Sequence, residues 1–306
     1  AIIGFAIANT VTTFSSSYVL TMAARFLAGV AAGLLWALLA GYAARMVSDP
    51  LKGRAIAVAM VGAPLALSLG VPAGTLIGSW VGWRTCFAII SALSLLLIVL
   101  IRVKVPDFAG QATGKRLSLP KVFILPGIRV VLFVVLAFVL AHNILYTYIA
   151  PFLATVDMAE RIDLILLVFG ITSVISIWII GVFIDRYLRV LTLGCVILFA
   201  VASLMLGIAG NIPEVVYCSV GVWGLAFGGA ATLFQTALAK AAGEAADVAQ
   251  SMLVTVWNLA IAGGGIMGGV LLERVDAGAF SPVLCVLLAF TLVAVWRARG
   301  HAFSAS

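Results

Sequence analysis

Ionisable and amide side chains are rare inside the long apolar runs of this chain, so each one is a candidate for ligand binding or proton transfer. Of the 306 residues, 64% are hydrophobic and 9% are charged. Arg25 lies inside one apolar run, and His142 lies near the centre of another. A charged group in hydrocarbon is costly, which makes such residues functional candidates by default. A histidine can also exchange a proton near neutral pH.

A broad polar face surrounds His142. The side chains of His142 and Tyr146 are one helical turn apart, as are those of Asn143 and Thr147. Two interpretations are open for this face. It lines a cavity, with His142 exchanging protons, or His142 forms a hydrogen bond to a neighbouring helix.

A second polar face lies near the end of the chain. Ser251, Thr255 and Asn258 fall at i, i+4 and i+7, and Gln235 belongs to a separate polar patch. The alternative is polar bonding between helices, worth about 0.6 kcal/mol per bond. We predict that five side chains face a central cavity rather than lipid: His142, Asn143, Gln235, Trp257 and Asn258.

The elements that position these residues are membrane-spanning helices. A soluble domain carries about 25% charged residues, and this chain, with a mean hydropathy of +1.26, is far more apolar. We predict an all-α integral membrane protein with ten apolar segments, the first incomplete. They lie near residues 1–15, 19–44, 55–80, 86–101, 130–153, 164–184, 190–209, 214–239, 250–272 and 280–296.

Lysine and arginine alternate strongly between the two ends of these segments. Fourteen fall on one side, three on the other (Arg84, Arg161 and Arg274), and Arg25 lies within a segment. The positive-inside rule makes the richer side cytoplasmic. We therefore predict an incomplete N-terminal bundle at 1–103, a cytoplasmic linker at 104–128 and a six-helix C-terminal bundle at 129–306. The fourteen are Arg45, Lys52, Arg54, Arg102, Lys104, Lys115, Arg116, Lys121, Arg129, Arg186, Arg189, Lys240, Arg297 and Arg299.

Glycine spacing indicates close helix packing and an internal repeat. Small residues recur every fourth position from Gly62 to Gly82, with Pro72 among them, and small residues let membrane helices approach closely. This track is either a tightly packed helix or a helix against which another bundle slides. Two glycine pairs also recur 194–195 positions apart, which implies two parallel repeats and predicts that about two helices and part of a third precede Ala1. The matched pairs are Gly29–Gly33 with Gly224–Gly228 and Gly70–Gly74 with Gly264–Gly268.

Three short motifs carry a resemblance to a known family. The stretch 25–33, RFLAGVAAG, is similar to a fourth-helix motif, and 70–75, GVPAGT, is similar to the fifth-helix antiporter motif. The stretch 181–189, GVFIDRYLR, is similar to a loop motif, with Leu188 in place of its last glycine. Together they resemble the major facilitator superfamily, in particular its twelve-helix drug/proton antiporters of the arabinose-efflux and chloramphenicol-resistance type. The implied gating residues are Gly29, Gly33, Gly70, Pro72, Gly74, Asp185, Arg186 and Arg189.

The resemblance implies the major facilitator fold, with about ten of twelve helices present, and a secondary transporter that works by alternating access. The implied activity is proton-coupled efflux of a drug-like compound or sugar. An importer or uniporter of the same fold is the alternative, and a non-transporting receptor is a more distant one. The resemblance also makes Arg25 a cavity-facing residue that influences proton coupling, and Gly29 and Gly33 on the same helix face favour this role. The alternative is an arginine that extends to the outer membrane interface.

Other features limit the chemistry. Cys86, Cys195, Cys218 and Cys285 stand singly, without metal-ligand or disulfide spacing. The sequence has no GxxxxGK[ST] motif for a nucleotide. We therefore expect no enzymatic activity, no metal and no cofactor. The expected partners are a small-molecule substrate, protons and the lipid bilayer of the plasma (inner) membrane, without nucleic acid and with the chain as a monomer.

Overall fold

The chain folds into two compact units of helices. The computed structural model describes residues 1–48, 55, 58–59, 61–66, 70–106, 118–298, 300 and 302–303, and each regular element in these ranges is a helix. The N-terminal unit comprises residues 1–62 and 69–115, and the C-terminal unit comprises 63–68 and 116–306. The predicted linker contains the break at 115, and its exact boundaries remain a prediction. Lys52, Arg54, Lys115, Arg116 and Arg299 lie outside the described residues.

The N-terminal unit is built around α1, which packs against both α2 and α5. The Ser17 hydroxyl caps α2 by accepting a hydrogen bond from the Leu20 amide at 3.4 Å. Between α4 and α5 the chain turns at Gly82, whose φ of 88° is a conformation that glycine adopts without steric cost. Its helices are α1 (Ile2–Phe14), α2 (Tyr18–Arg45), α4 (Val71–Val81) and α5 (Trp83–Lys104). The short helix α3 (Gly62–Leu65) begins at residue 62 of this unit and continues in residues that belong to the C-terminal unit.

The C-terminal unit contains the larger core, in which α7 packs against α12 and α13 while α9 packs against α10 and α13. Its helices are α6 (Leu119–Phe123), α7 (Ile128–Thr147), α8 (Ile149–Ala154), α9 (Ile162–Ala209), α10 (Pro213–Phe227), α11 (Ala230–Ala242), α12 (Ala246–Arg274) and α13 (Phe280–Arg297). Large aromatic side chains fill this core, and Phe138, Phe169, Phe199, Trp223 and Phe234 are all buried.

A single residue joins the two membrane spans of α9. Tyr187 has non-helical angles, φ −127° and ψ 26°, in an otherwise continuous helix. This kink separates the two apolar segments that the sequence predicts at 164–184 and 190–209. Leu188 is buried, and it is not among the described residues with positive φ. The tight connection therefore forms without the glycine that the loop motif has at this position.

Close contact between α9 and α10 depends on glycine. A Cβ added at Gly224 would lie 2.5 Å from the carbonyl oxygen of Phe169, and one added at Gly228 would overlap the backbone of Ser173. The Ser173 hydroxyl donates a hydrogen bond to the Gly224 carbonyl at 3.1 Å. The one apolar segment predicted at 214–239 is divided at Gly228 and Gly229 into α10 and α11, where both residues approach α9 too closely for a side chain.

Length and hydropathy identify these helices as membrane-spanning. Within the described residues, seven helical stretches are long and apolar enough to cross a membrane, and the stretch Ala159–Ala209 contains the kink at Tyr187. On α5, Leu93, Leu96 and Leu100 are exposed, as expected for side chains that contact lipid. The protein is therefore a multi-pass membrane protein.

Candidate functional site

Arg25 is held inside the N-terminal unit by contacts with two neighbouring helices. Its Nη1 donates a hydrogen bond to Asn9 Oδ1 at 2.7 Å, which joins α2 to α1. Its guanidinium also lies 4.7 Å from the centre of the Phe87 ring on α5. A hydrogen bond with a charged donor is about twice as strong as a neutral one. The Arg25 guanidinium therefore contacts α1 and α5, and its influence on proton coupling remains a prediction.

Asn9 accepts the hydrogen bond from Arg25, and the sequence alone did not identify this pair. Asn9 is fully buried, and its Nδ2 donates to the Phe5 carbonyl of its own helix at 2.8 Å, which leaves Oδ1 directed at Arg25. The signal that could have found this pair is an amide side chain in an apolar run, followed by an arginine sixteen residues later.

A cluster of aromatic side chains encloses His142 in the C-terminal unit. We call it the histidine cluster, and its ring contacts are all internal to this unit. The imidazole stacks on Phe227 with ring centres 3.4 Å apart and planes within 7° of parallel. Its ring centre lies 5.3 Å from those of Trp223 and Tyr146, and the ring centres of Phe169 and Trp223 are 4.5 Å apart. Its members are His142, Tyr146, Phe169, Trp223 and Phe227.

Two buried polar atoms of this cluster have no hydrogen-bond partner among the described residues. His142 is 4% exposed and Trp223 is fully buried. His142 Nδ1 and Trp223 Nε1 form no hydrogen bond with any described residue. Leaving such a group unsatisfied costs about 1–3 kcal/mol. The indole N–H can donate to a ligand oxygen, and an imidazole nitrogen can accept or donate, so the cluster suits a ligand hydroxyl.

The structure brings one further predicted residue to the cluster. The Trp257 ring lies 6.2 Å from that of Phe227. Trp223 was not among the predicted site residues. The signal that could have found it is its position immediately before Gly224, because that glycine pair marks the face of α10 that packs against α9.

The remaining predicted cavity residues occupy different positions. Asn143 packs where Gly264 of α12 approaches α7, and its amide donates to the Val139 carbonyl. Gln235 is half-buried on α11, and its backbone carbonyl accepts from Gln250 Nε2 at 3.1 Å. Asn258 lies on an exposed face of α12 and donates to Val254. That all five face a central cavity remains a prediction.

The predicted gating residues in the C-terminal unit lie at the kink of α9. Arg189 Nη2 donates to the Trp296 carbonyl at 2.8 Å, which ties this point to the end of α13. The Arg186 guanidinium lies 5.6 Å from the centre of the Tyr187 ring. Asp185 is exposed one residue before Arg186. That Asp185 has a gating function remains a prediction.

The predicted gating residues in the N-terminal unit have fewer contacts. The described helix α4 begins at Val71, so Pro72 falls in its first turn, where a missing N–H removes no helical hydrogen bond; the Pro72 side chain lies outside the described residues. The Gly74 carbonyl accepts from Cys86 Sγ at 3.3 Å. Around Gly29 and Gly33, no described atom lies within 4 Å of an added Cβ.

Sequence comparison identifies the family. The profile of the Major Facilitator Superfamily matches residues 1–265. The chain belongs to this superfamily. The family and fold class predicted from the three motifs are thereby confirmed. Among the described residues, no group of three or more histidine, cysteine or acidic side chains could hold a metal ion.

Several similar members of the superfamily are named as efflux proteins. The chain is 25% identical over 295 residues to a probable sugar efflux transporter of Mannheimia succiniciproducens, covering 94% of this chain and 73% of that protein. It is 26% identical over 293 residues to the purine ribonucleoside efflux pump NepI of Salmonella enteritidis, with the same coverage. A probable sugar efflux transporter of Helicobacter acinonychis is 25% identical over 251 residues, which are 81% of this chain and 64% of that protein.

Solved structures of other superfamily members share the fold. The human organic anion transporter MFSD10 (TETRAN) superposes with a TM-score of 0.79 at 14% identity, covering 96% of this chain and 75% of that one. FucP in its outward conformation gives a TM-score of 0.72 at 16% identity, covering 97% of this chain and 81% of that one. At this level of identity, the superpositions establish the superfamily fold alone.

Proposed function

We propose that the protein is a secondary active transporter that exports a small, hydroxyl-rich organic molecule in exchange for protons. Membership of the Major Facilitator Superfamily supports transport by alternating access. The names of the similar proteins, which specify sugar and purine ribonucleoside efflux, support export. The proposal assigns the chain no enzymatic activity.

The observation that carries the substrate class is the histidine cluster. Ligand sites are mostly apolar, with a few placed polar groups that fix orientation. Here the aromatic rings supply the apolar surface, and His142 Nδ1 and Trp223 Nε1 supply two buried atoms that have no partner in the described part of the chain. Sugars and nucleosides carry hydroxyl groups that could satisfy both atoms, and apolar ring faces on which aromatic side chains stack.

We assign proton coupling to Arg25 and His142. The hydrogen bond from Arg25 to Asn9 keeps a positive charge within the membrane-spanning part of α2, where charge is functional by default. His142 can exchange a proton near neutral pH, and Tyr146 lies one turn away on the same face. Asn143, Gln235, Trp257 and Asn258 complete the proposed substrate and proton pathway.

The proposed orientation follows from basic residues. With fourteen lysine and arginine side chains on one side and three on the other, the linker and the C-terminus lie in the cytoplasm. We place the protein in the plasma (inner) membrane as a monomer.

Flux measurements in inside-out vesicles test the proposed function. Vesicles carrying the full-length protein should accumulate a labelled sugar or purine ribonucleoside when their lumen is acidic. Uptake should collapse when a protonophore removes the pH gradient. Drug-like compounds carried in place of both would contradict the hydroxyl-rich substrate class, and gradient-independent uptake would contradict proton coupling.

Two substitutions connect that flux to the histidine cluster. His142→Phe and Trp223→Phe keep an aromatic ring and remove one polar atom each. Loss of one hydrogen bond should lower uptake at limiting substrate by about tenfold. Trp178→Phe is the matched control because Trp178 is 71% exposed on α9. Equal rates for all three variants would exclude the cluster as the substrate site.

The alternative is an importer or a uniporter of the same fold. One observation favours keeping it: the fold is shared with FucP, described as a fucose:proton symporter. The same vesicles distinguish the two. A symporter moves its substrate in the same direction as the protons, whereas an exporter that exchanges substrate for protons moves it in the opposite direction. Specific substrate binding without flux in either direction would support a receptor.

A further inference from the structure

An open groove lies between the start of α7 and the end of α13, away from the histidine cluster. Its volume is about 570 Å³, and its lining is almost entirely apolar. Phe133 forms part of the wall and is 44% exposed. The lining residues are Pro126, Gly127, Arg129, Val130, Phe133, Ala294, Arg297 and Ala298.

Among the described residues of this lining, the charged side chains are two arginines. Arg129 and Arg297 are both exposed, and they come from different helices. Arg129 uses its Nε to donate to the Phe123 carbonyl at 3.3 Å, and its guanidinium lies 5.4 Å from the Phe123 ring. Among the described residues no acidic side chain forms an ion pair with Arg297, and no acid belongs to the groove lining. The groove therefore combines apolar walls with positive charge.

The position of the groove sets the depth at which a ligand would lie. α7 begins there and α13 ends there, and both belong to membrane-spanning stretches. The groove is thus at the boundary between hydrocarbon and water, where a phospholipid changes from acyl chain to headgroup. The ends of transmembrane helices on the cytoplasmic side are positions at which basic pockets bind anionic headgroups.

We propose that this groove binds an anionic phospholipid, with the phosphate between Arg129 and Arg297 and the upper acyl chain along Val130, Phe133 and Ala294. Charge complementarity selects an anionic lipid over a zwitterionic one. The apolar wall selects a lipid over a free anion. The part of the linker that precedes the groove, residues 104–125, is a poor occupant because it carries four basic residues and one acid, and the two arginines repel this excess positive charge.

The test is native mass spectrometry of the full-length protein in detergent, with phosphatidylglycerol and phosphatidylcholine of the same acyl chains supplied in equal amounts. We expect preferential retention of phosphatidylglycerol. In the double variant Arg129→Gln/Arg297→Gln the preference should fall about twenty-five-fold, because each arginine near an anionic lipid surface contributes about fivefold. Arg129→Lys/Arg297→Lys, which keeps both charges, should retain most of the preference.

The matched control is Arg161→Gln/Arg274→Gln. Both residues are exposed, and the control removes the same charge at the opposite ends of the helices. Elution of every variant as a single species in gel filtration establishes that each is folded. An equal loss in test and control variants, no loss in the test variant, or full displacement of the lipid by millimolar inorganic phosphate would each overturn the proposal.

Discussion

Two glycine pairs with the same spacing have opposite surroundings. Gly224 of α10 and Gly228, the residue that follows α10, lie against the backbone of α9, with no room for a Cβ. Gly29 and Gly33 of α2, 195 positions earlier, have no described atom within 4 Å of an added Cβ. A glycine pattern therefore identifies a helix face that has no side chains to keep a neighbouring helix at a distance. Whether another helix occupies that face depends on residues far away in sequence.

The largest effect should follow from a single methyl group at the closed pair. Gly228→Ala places a Cβ into the backbone of Ser173, and backbone cannot move aside as a side chain can. We expect the free energy of unfolding to fall by about 3 kcal/mol, measured as thermal unfolding of the detergent-solubilised full-length protein. Gly221→Ala, in α10 and also facing α9, is the control because its Cβ would make ordinary contacts at 3.5 and 3.7 Å. Similar losses for both variants would show that close approach is not the cause.

The second prediction concerns the stability of the N-terminal unit. It tests whether a polar contact stabilises that unit, whereas close packing stabilises the C-terminal unit. Arg25→Gln removes the charged hydrogen bond to Asn9 and the contact with Phe87. We expect a loss of about 2 kcal/mol in the free energy of unfolding and slower proton-driven flux. Arg102→Gln, an exposed arginine on α5, should change stability by about 0.5 kcal/mol or less. Arg25 would be a simple surface charge if the two variants behaved alike.

The third prediction concerns the kink of α9 in the C-terminal unit, where Asp185 is exposed. Asp185→Asn keeps the side-chain size and removes the charge. A contribution of about 1 kcal/mol from an exposed ion pair or helix dipole should shift the equilibrium between the two access states about fivefold toward the cytoplasm-open form. Cysteine labelling at position 257 from the cytoplasmic side measures this shift. Unchanged labelling with normal flux would reduce Asp185 to an interfacial charge.

The smallest effect should follow from the open pair. Gly33→Ala adds a methyl group where no described atom lies nearby, and alanine is the better helix former. We expect a gain of about 0.5–1 kcal/mol in the free energy of unfolding. A loss comparable to that of Gly228→Ala would be informative in the other direction. It would show that Gly33 contacts a surface in the full-length protein, which would make the two pairs equivalent.

Hydropathy predicted the helices well because a membrane span needs about twenty apolar residues in one run. The segments 164–184 and 190–209 correspond to the two parts of α9 on either side of Tyr187. Breaks that depend on packing could not be read in this way. The division of α10 from α11 reflects the approach of Gly228 and Gly229 to α9. The glycines indicate a close contact, but the sequence alone does not identify the helix that they approach.

The candidate site was less predictable because its contacts join distant residues. His142 was found by its rarity in an apolar run, whereas Trp223, eighty-one positions later, looked like any aromatic residue of a membrane helix. Asn9 became meaningful only when Arg25 was seen to donate to it. Polarity marked Asn143 as a cavity residue, yet its amide bonds within its own helix beside Gly264. The spacing of residues predicts which of them share one face of a helix. Which helix packs against that face is known only from the fold.

The single-residue connection at Tyr187 also has a consequence for how the protein is made. Because one residue joins the two spans, we expect them to enter the bilayer together rather than one after the other. The positive-inside rule would hold Arg186 and Arg189 on the side where the polypeptide is made. In the orientation proposed above, the kink would then lie on the cytoplasmic face before the tertiary packing forms.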